Sequence, residues 1–334
     1  MEEARKKIVY SALKPTGDLQ LGNYLGALRN MVAMQEEYDC IYTVADMHSL
    51  TVDTVPADLR RRSYDFMALF LAVGLDPERS ILFVQSHVPA HAELTWILNC
   101  NTMMGEASRM TQFKGKSKKA GKAGINLGLF DYPVLMASDI LLYQADIVPV
   151  GKDQMQHLEL ARTIAERFNN RYSPTFTLPE GYVGNKKTSK IFSLTDPTSK
   201  MGKTDANTGG VVFLLDDDAT VMRKFARAVT DSGHEIRAGA DKPGITNLLN
   251  IYCAMTGKTV AAAEKEFADA SYETFKRAVG ESVVSVLAPI RAEYNRYIND
   301  KAELERIMRD GAEKAARIAR RTLSKVYRKV GFVV

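Results

Sequence analysis

Lys200 and Lys203 lie three residues apart in a polar run, Asp196-Pro197-Thr198-Ser199-Lys200-Met201-Gly202-Lys203-Thr204-Asp205. Two cations on a pliable loop are suited to charge that gathers on a leaving phosphate chain. A second cationic group, Lys114, Lys116, Lys118, Lys119 and Lys122, contains no acid, and like charges this close repel unless an anion visits. Near the N-terminus, Lys14-Pro15-Thr16-Gly17-Asp18-Leu19-Gln20-Leu21-Gly22-Asn23 follows a short apolar run. Pro15 and Gly17 turn the chain, and a helix opens near Leu21 whose unpaired N–H groups suit a polyanion. Gly22 and Gly26 leave room for a flat base or ribose, and Asn23 can donate to a phosphate or sugar oxygen. Taken alone, such a turn is equally the tightly packed opening of a βα unit. Asp139 offers different chemistry. It sits in an apolar helical run, Val134-Leu135-Met136-Ala137-Ser138-Asp139-Ile140-Leu141, where an unpaired carboxylate costs several kcal/mol and therefore needs a donor. The alternative is a surface position satisfied by solvent or a lysine.

The elements that must position these residues follow from apolar periodicity. Strand-like runs at Ile8–Leu13, Cys40–Met47, Ile81–Gln85 and Ile147–Val150 alternate with helical patterns at about 21–38, 56–73, 91–104, 133–145 and 153–168. This order predicts a parallel sheet covered on both faces, with ligands beyond the carboxyl ends of the strands. Polar residues fall at those ends: Lys14 to Asn23, then Asp46 and His48, then Gly151, Asp153 and Gln154, which predicts one shared pocket. Residues 105–131 read as part of an insertion with a mobile loop, and residues 171–205 as loop-rich. From about 217 the pattern is helical, over 217–230, 244–256, 259–268, 271–297 and 301–329. The last helix carries an apolar stripe, including Leu304, Ile307, Met308, Ala315, Ala319 and Leu323, that must pack on something. The expected fold is α/β, a Rossmann-like parallel-sheet catalytic domain with an insertion, followed by an all-helical C-terminal domain.

The chain of 334 residues is 46% hydrophobic and 25% charged, as for an ordinary globular protein. No apolar run is long enough to span a membrane, and Met1 to Arg5 lead straight into the first strand, so a cytoplasmic protein without a leader is expected. Cys40, Cys100 and Cys253 are scattered, which argues against structural zinc, iron–sulfur sites and a disulfide framework. The net charge of +5 is uneven: residues 301–329 hold ten Lys or Arg against four Asp or Glu. Such a stretch is commonly a solvated face.

The runs Pro15–Asn23 and Asp196–Asp205, about 180 residues apart, together resemble the two nucleotide motifs of class I aminoacyl-tRNA synthetases, usually His-Ile-Gly-His and Lys-Met-Ser-Lys-Ser. The stretches Asp46-Met47-His48-Ser49-Leu50-Thr51, Arg109-Met110-Thr111-Gln112-Phe113-Lys114, Tyr132-Pro133-Val134-Leu135-Met136-Ala137-Ser138-Asp139-Ile140-Leu141-Leu142-Tyr143 and Val148-Pro149-Val150-Gly151-Lys152-Asp153-Gln154 narrow the resemblance to tryptophanyl-tRNA synthetases. It covers essentially the whole chain, including Lys242-Pro243-Gly244-Ile245-Thr246-Asn247-Leu248-Leu249.

The resemblance implies activation of L-tryptophan by ATP, with Mg2+ on the phosphates, and transfer of the activated amino acid to tRNA(Trp). Lys200 and Lys203 would supply charge to the leaving pyrophosphate, with Lys116 reaching in from the insertion and Asn23 at the first motif. ATP would also meet Lys14, Pro15, Thr16, Gly22, Gly26, Gly151, Lys152, Met201, Gly202 and Thr204, with Asp153 on the ribose hydroxyls and the Ile191 backbone on adenine. Asp139 would accept from the indole N–H, a bond phenylalanine cannot make and whose absence would leave the acid unsatisfied. Met136, Val148 and Val150 would wall the ring together with Tyr10, and Tyr132 and Gln154 would hold the α-amino group. His48 is either part of this pocket or a structural hydrogen-bonder. The implied domains are a catalytic domain 1–205 with an insertion at about 80–140 that forms a homodimer interface, an anticodon-binding helical domain 206–300, and a basic helix within 301–334 that packs back.

Four positions depart from the family pattern. Gln20 replaces the first histidine, Gly202 a serine, Lys14 a glutamine common in bacterial members, and Lys152 an acid. Gln20 and Gly202 leave open a non-catalytic RNA-binding or regulatory paralogue. A small-molecule adenylyltransferase would not need the helical domain, and a tyrosine-specific relative would also carry an acid in its pocket.

Overall fold

The computed structural model describes residues 5–117, 125–151, 154–182, 191–202 and 208–333, apart from the side chains of Lys116 and Ser117. Strands β1 (Ile8–Leu13), β2 (Asp39–Val44), β3 (Ser80–Val84), β4 (Ile147–Pro149) and β5 (Glu180–Tyr182) form one parallel sheet in the order β3-β2-β1-β4-β5. The helices between them are α1 (residues 21–34), α2 (Pro56–Ala72), α3 (Ala90–Asn99), α4 (Met104–Ala107), α5 (Thr111–Ser117), α6 (Leu127–Leu141) and α7 (Met155–Tyr172). The chain leaves β1 toward β2 on one side and returns to β4 on the other. This reversal opens a crevice beyond the ends of β1 and β4, where ligands of such sheets bind.

Side chains alternate across the sheet with the period of two that a strand imposes. Val9, Tyr42, Val44, Leu82 and Val84 face one way, packing on Leu25, Leu28 and Met31 of α1 and Phe66 and Phe70 of α2. Tyr10, Ile41 and Phe83 face the other, against Leu94 of α3, Val134 and Ile140 of α6, and Leu158 and Ile164 of α7.

The remaining helices are α8 (Asp218–Ala226), α9 (Pro243–Thr256), α10 (Val260–Glu266), α11 (Tyr272–Asn299) and α12 (Lys301–Val330). Their core is not separate. Val221, Phe225, Ile245, Val279 and Leu287 continue the same buried cluster that lines the first sheet face. Helix α12 then crosses the edge of the sheet: Leu304 and Ile307 join the first cluster, whereas Ala315, Ala319 and Leu323 join the second. The apolar stripe of this helix covers edge strand β3, whose outer side would otherwise be an open template for pairing.

Several element boundaries differ from those expected. Strand β2 ends at Val44 because the Asp46 carboxylate caps a 3-10 turn, Met47–Thr51, accepting from Met47 N at 3.0 Å. Strand β5 falls within the stretch read as loop; three exposed residues carry no apolar run to announce it. Helix α6 starts at Leu127 rather than at Pro133, because Asn126 caps it, accepting from Leu129 N at 2.8 Å, and the proline is tolerated inside. The stretch 105–131 is helical over much of its described part, in α4, α5 and the start of α6. Helix α1 is wound as a π-helix over Tyr24–Leu28.

Gly311 is the point at which α12 meets the sheet. A Cβ there would stand 1.8 Å from the Leu82 carbonyl oxygen. Gly311→Ala gains about 1 kcal/mol of helix propensity, yet pushing backbone from backbone at a packed crossing costs about 1–3 kcal/mol. Urea unfolding is expected to show net destabilisation. An alanine variant more stable than the parent would mean that the helix does not press on β3.

Candidate active site

The crevice between β1 and β4 deepens into a cavity of about 380 Å3. Its wall includes Lys14 just past β1, Val148 and Pro149 of β4 with Val150 and Gly151 following, and His48 on the turn after β2. Helix α6 supplies Tyr132, Met136 and Asp139, α5 supplies Gln112, and Gln154 stands just before α7. Tyr10 of β1 lines it as well. The chain thus brings Tyr10, His48, Tyr132, Met136, Asp139, Val148, Val150 and Gln154 around one space, together with Lys14 and Gly151.

Asp139 is 1% exposed and accepts three hydrogen bonds. Gln85 Nε2 donates to Oδ1 at 2.7 Å, His91 Nδ1 donates to the same oxygen at 2.6 Å, and His48 Nε2 donates to Oδ2 at 2.8 Å. Burial pushes the carboxyl upward, but the bonds from His48 and His91 outweigh it and hold the group below the usual carboxylate range. The network extends outward: His91 Nε2 lies 2.8 Å from the Tyr143 hydroxyl, and Ser138 Oγ donates to His91 O at 2.8 Å, pinning α6 to α3. This corrects one expectation. The acid is not left bare when no ligand donor is present, because three protein donors already satisfy it.

Gln85 and His91 are not among the residues that the sequence singles out. Gln85 ends the third apolar run, and the strand-end rule applied to the other runs would have found it. His91 lies on an apolar helix with nothing local to distinguish it.

The amide side of the first motif also differs from expectation. The N–H groups that open α1 are not unpaired: Leu21 N donates to Val212 O at 2.9 Å, Asn23 N to Gln20 O at 2.8 Å and Tyr24 N to Gln20 O at 3.2 Å, while Gly22 N donates to Gln20 Oε1. Gln20 N in turn donates to Asn23 Oδ1 at 3.1 Å. Gly22 is compact for the sake of Gln20, since a Cβ there would stand 2.9 Å from its Oε1, whereas Gly26 faces open space. Gln20 is buried, and its Nε2 donates to Met201 O at 3.0 Å, tying the first motif to the second. Met201 N donates to Ile191 O at 3.0 Å, so that the Ile191 carbonyl is engaged within the protein.

Pro15 is buried and Thr16 N donates to Lys14 O at 2.8 Å, while Lys200 is exposed and Gly202 partly so. Pro15, Thr16, Lys200 and Gly202 do not line the cavity, nor do Gly22, Asn23, Gly26, Ile191 and Met201. Lys203, Thr204, Lys152 and Asp153 lie outside the described residues, as does the Lys116 side chain. Lys14 Nζ donates to Thr51 Oγ1 at 3.2 Å, on the turn that carries His48. Asp46 does not join the cavity: Met47 N and Ser86 N both donate to its Oδ1 at 3.0 Å, beside a larger groove between α2, α3 and α12.

Residues 2–288 match the family model described as tRNA synthetases class I (W and Y). A tryptophan–tRNA ligase of Clostridium perfringens is 52% identical over 331 residues, spanning 99% of each chain. Among solved structures, a tryptophanyl-tRNA synthetase from Mycoplasma pneumoniae superimposes with TM-score 0.87 at 36% identity, covering 98% of each chain. The tryptophanyl-tRNA synthetase of Campylobacter jejuni, solved with ADP and tryptophan, gives TM-score 0.84 at 33% identity, covering 97% of this chain and 100% of that one.

A folded-state carboxyl held below its unfolded value binds fewer protons than the unfolded chain, so its stabilisation is present above the unfolded value and lost as pH falls through the folded one. For Asp139 the unfolded value is near 3.8. The stability difference between the parent and Asp139→Asn is therefore expected to be constant above about pH 5 and to shrink progressively below it. Urea unfolding from about pH 6 to about pH 3 measures this; a difference independent of pH would mean that the acid is not held ionised.

Proposed function

The chain belongs to the class I tRNA synthetases of tryptophan and tyrosine and ligates tryptophan to tRNA; we propose that Asp139 is the group that recognises the amino acid. In the first step a substrate carboxylate attacks the α-phosphorus of ATP, and pyrophosphate leaves. In the second, a ribose hydroxyl of the tRNA end takes the aminoacyl group, and AMP leaves. Neither step needs a covalent enzyme intermediate, so the site acts by alignment and charge stabilisation.

The observation that carries the reading is a buried, ionised acid at the wall of an apolar slot. Oδ2 accepts one protein donor, from His48, and retains acceptor capacity for an indole N–H. Met136, Val148, Val150 and Tyr10 wall the ring. Tyr132 and Gln154 hold the α-ammonium group, and Lys14 stands beside the substrate carboxylate. Discrimination against phenylalanine then comes from a donor that completes a prearranged acceptor, not from one that rescues a bare charge.

ATP lies over α1 toward the second motif, with Asp153 on the ribose and Lys116, Lys200 and Lys203 on the phosphates. Mg2+ enters with the phosphates as part of the substrate. The helical part would receive the anticodon, with the basic face of α12 near RNA phosphates, which position RNA without reading it. A homodimer is supported by large apolar side chains exposed on α3, α4 and the start of α6: Trp96, Met104 and Leu127, with Met103 between α3 and α4. Among the described residues no helix is long and apolar enough to cross a membrane, and the location in keeping with tRNA charging is the cytoplasm.

Amino-acid-dependent ATP–pyrophosphate exchange tests the reading. Tryptophan is expected to drive exchange far above tyrosine and phenylalanine, and Asp139→Ala to reduce the tryptophan rate by about a hundredfold or more. Exchange with no amino acid above background would favour a non-catalytic paralogue. Lys14→Gln is expected to raise KM for ATP or tryptophan by about two- to tenfold; unaltered constants would remove Lys14 from the site.

A further inference from the structure

Asn247 belongs to the run Lys242 to Leu249, which contributes nothing to the cavity wall. It sits in the second turn of α9 and is 2% exposed. Its Nδ2 donates to Phe192 O and its Oδ1 accepts from Phe192 N, both at 2.9 Å. Phe192 faces Lys200 across a short antiparallel pair, in which Met201 N donates to Ile191 O at 3.0 Å and Ser193 N to Ser199 O at 2.9 Å. Between two such bonds the backbone groups of the facing residues point outward, and Asn247 takes both of those that belong to Phe192. Asp196 closes the turn: its carboxylate accepts from Thr198 N at 3.1 Å, from Thr198 Oγ1 at 2.6 Å and from Ser199 Oγ at 2.6 Å. The front half of the run expected to be pliable is therefore a fastened hairpin, with Lys200 exposed on it and the next side chain, Met201, buried.

Gln20 grips the other strand. Its Nε2 donates to Met201 O at 3.0 Å while its Oε1 accepts from Gly22 N. These contacts settle which way the carboxamide lies, since a half-turn would set N–H against N–H and oxygen against oxygen. The same holds for Asn247. Two carboxamides, one just ahead of α1 and one from the helical part, thus hold the two strands of a hairpin whose exposed cation lies next to the second grip. A side chain one methylene shorter than Gln20 could cap α1 or reach Met201 O, but not both.

We propose that Gln20 and Asn247 are positioning residues for the activation step: together they clamp the hairpin so that Lys200 stands preset for the phosphates of ATP. This rests on the reading of Lys200 as a cation for those phosphates. Neither carboxamide needs to touch the nucleotide; each acts through the backbone that carries the lysine.

The test is tryptophan-dependent ATP–pyrophosphate exchange on the full chain, with tryptophan affinity measured separately by calorimetry. Gln20→Asn, which keeps a cap for Gly22 N, and Asn247→Ala are each expected to lower kcat/KM for ATP about tenfold while leaving the Kd of tryptophan within about twofold. Should Asn247→Ala not fold, Asn247→Asp, which keeps the bond from Phe192 N, takes its place. Gln20→His is expected to stay within about threefold of the parent, because a neutral imidazole accepts at one nitrogen and donates from the other as the carboxamide does. Lys200→Ala alone should cost about a hundredfold. Adding Gln20→Asn or Asn247→Ala to it should cost less than about twofold more, since no cation is left to place. A full further loss in the Lys200→Ala background, a matching loss of tryptophan affinity, or no loss from one of the two residues overturns the clamp. If Lys200→Ala itself leaves exchange unchanged, the reading of Lys200 falls, and the proposal with it.

Discussion

A carboxylate almost wholly removed from water is tolerated only where donors converge on it, and Asp139 sets that demand for this fold. Its three donors come from the end of β3, the turn after β2 and the first turn of α3. Those elements can meet only if the β2 and β3 ends are level and α6 lies across them, the arrangement that also leaves the cavity beside β1 and β4. Satisfying one buried charge and shaping the slot are the same geometric act.

A second constraint joins parts of the chain far apart in sequence. The Gln20 carboxamide is spent twice within the protein, on Gly22 N and on Met201 O, and the strand-like pairing of Gln20 with Phe213 continues the seam. The cationic loop around Lys200 is thereby held to the start of α1. Because the helical part shares its buried cluster with the sheet, displacement of α8 or α11 would be felt at that seam. Coupling between the helical part and the loop around Lys200 needs no extra element; it follows from a common core.

Asp139 and the Tyr132–Gln154 pair repeat one device. In each, side chains that line the cavity are hydrogen-bonded to a histidine that does not: His91 for the acid, and His157 for the phenol and amide. An imidazole suits this work because its two nitrogens lie on opposite sides of a rigid ring, so a single residue fixes the orientation of two others.

Much was legible in the chain alone. Four of the five strands, the long helices and the stripe of α12 follow from periodicity, since burial on one or two faces must be written into residue spacing. The strand-end rule placed Lys14, His48, Gly151 and Gln154 near one another, because a parallel sheet delivers all its carboxyl ends to one side. The rule failed for Asp46, whose carboxylate caps its own turn, and strand β5 carried no apolar signal at all. What tertiary structure alone decided was who satisfies whom. His91 and His157 have no local mark, because a hydrogen-bond partner lying across a cavity leaves no trace in spacing. The pairing of the α1 N–H groups was likewise invisible, since Val212 lies almost two hundred residues away from Leu21. Sequence periodicity records which face of an element is buried; only the packed chain settles which donor meets which acceptor inside it.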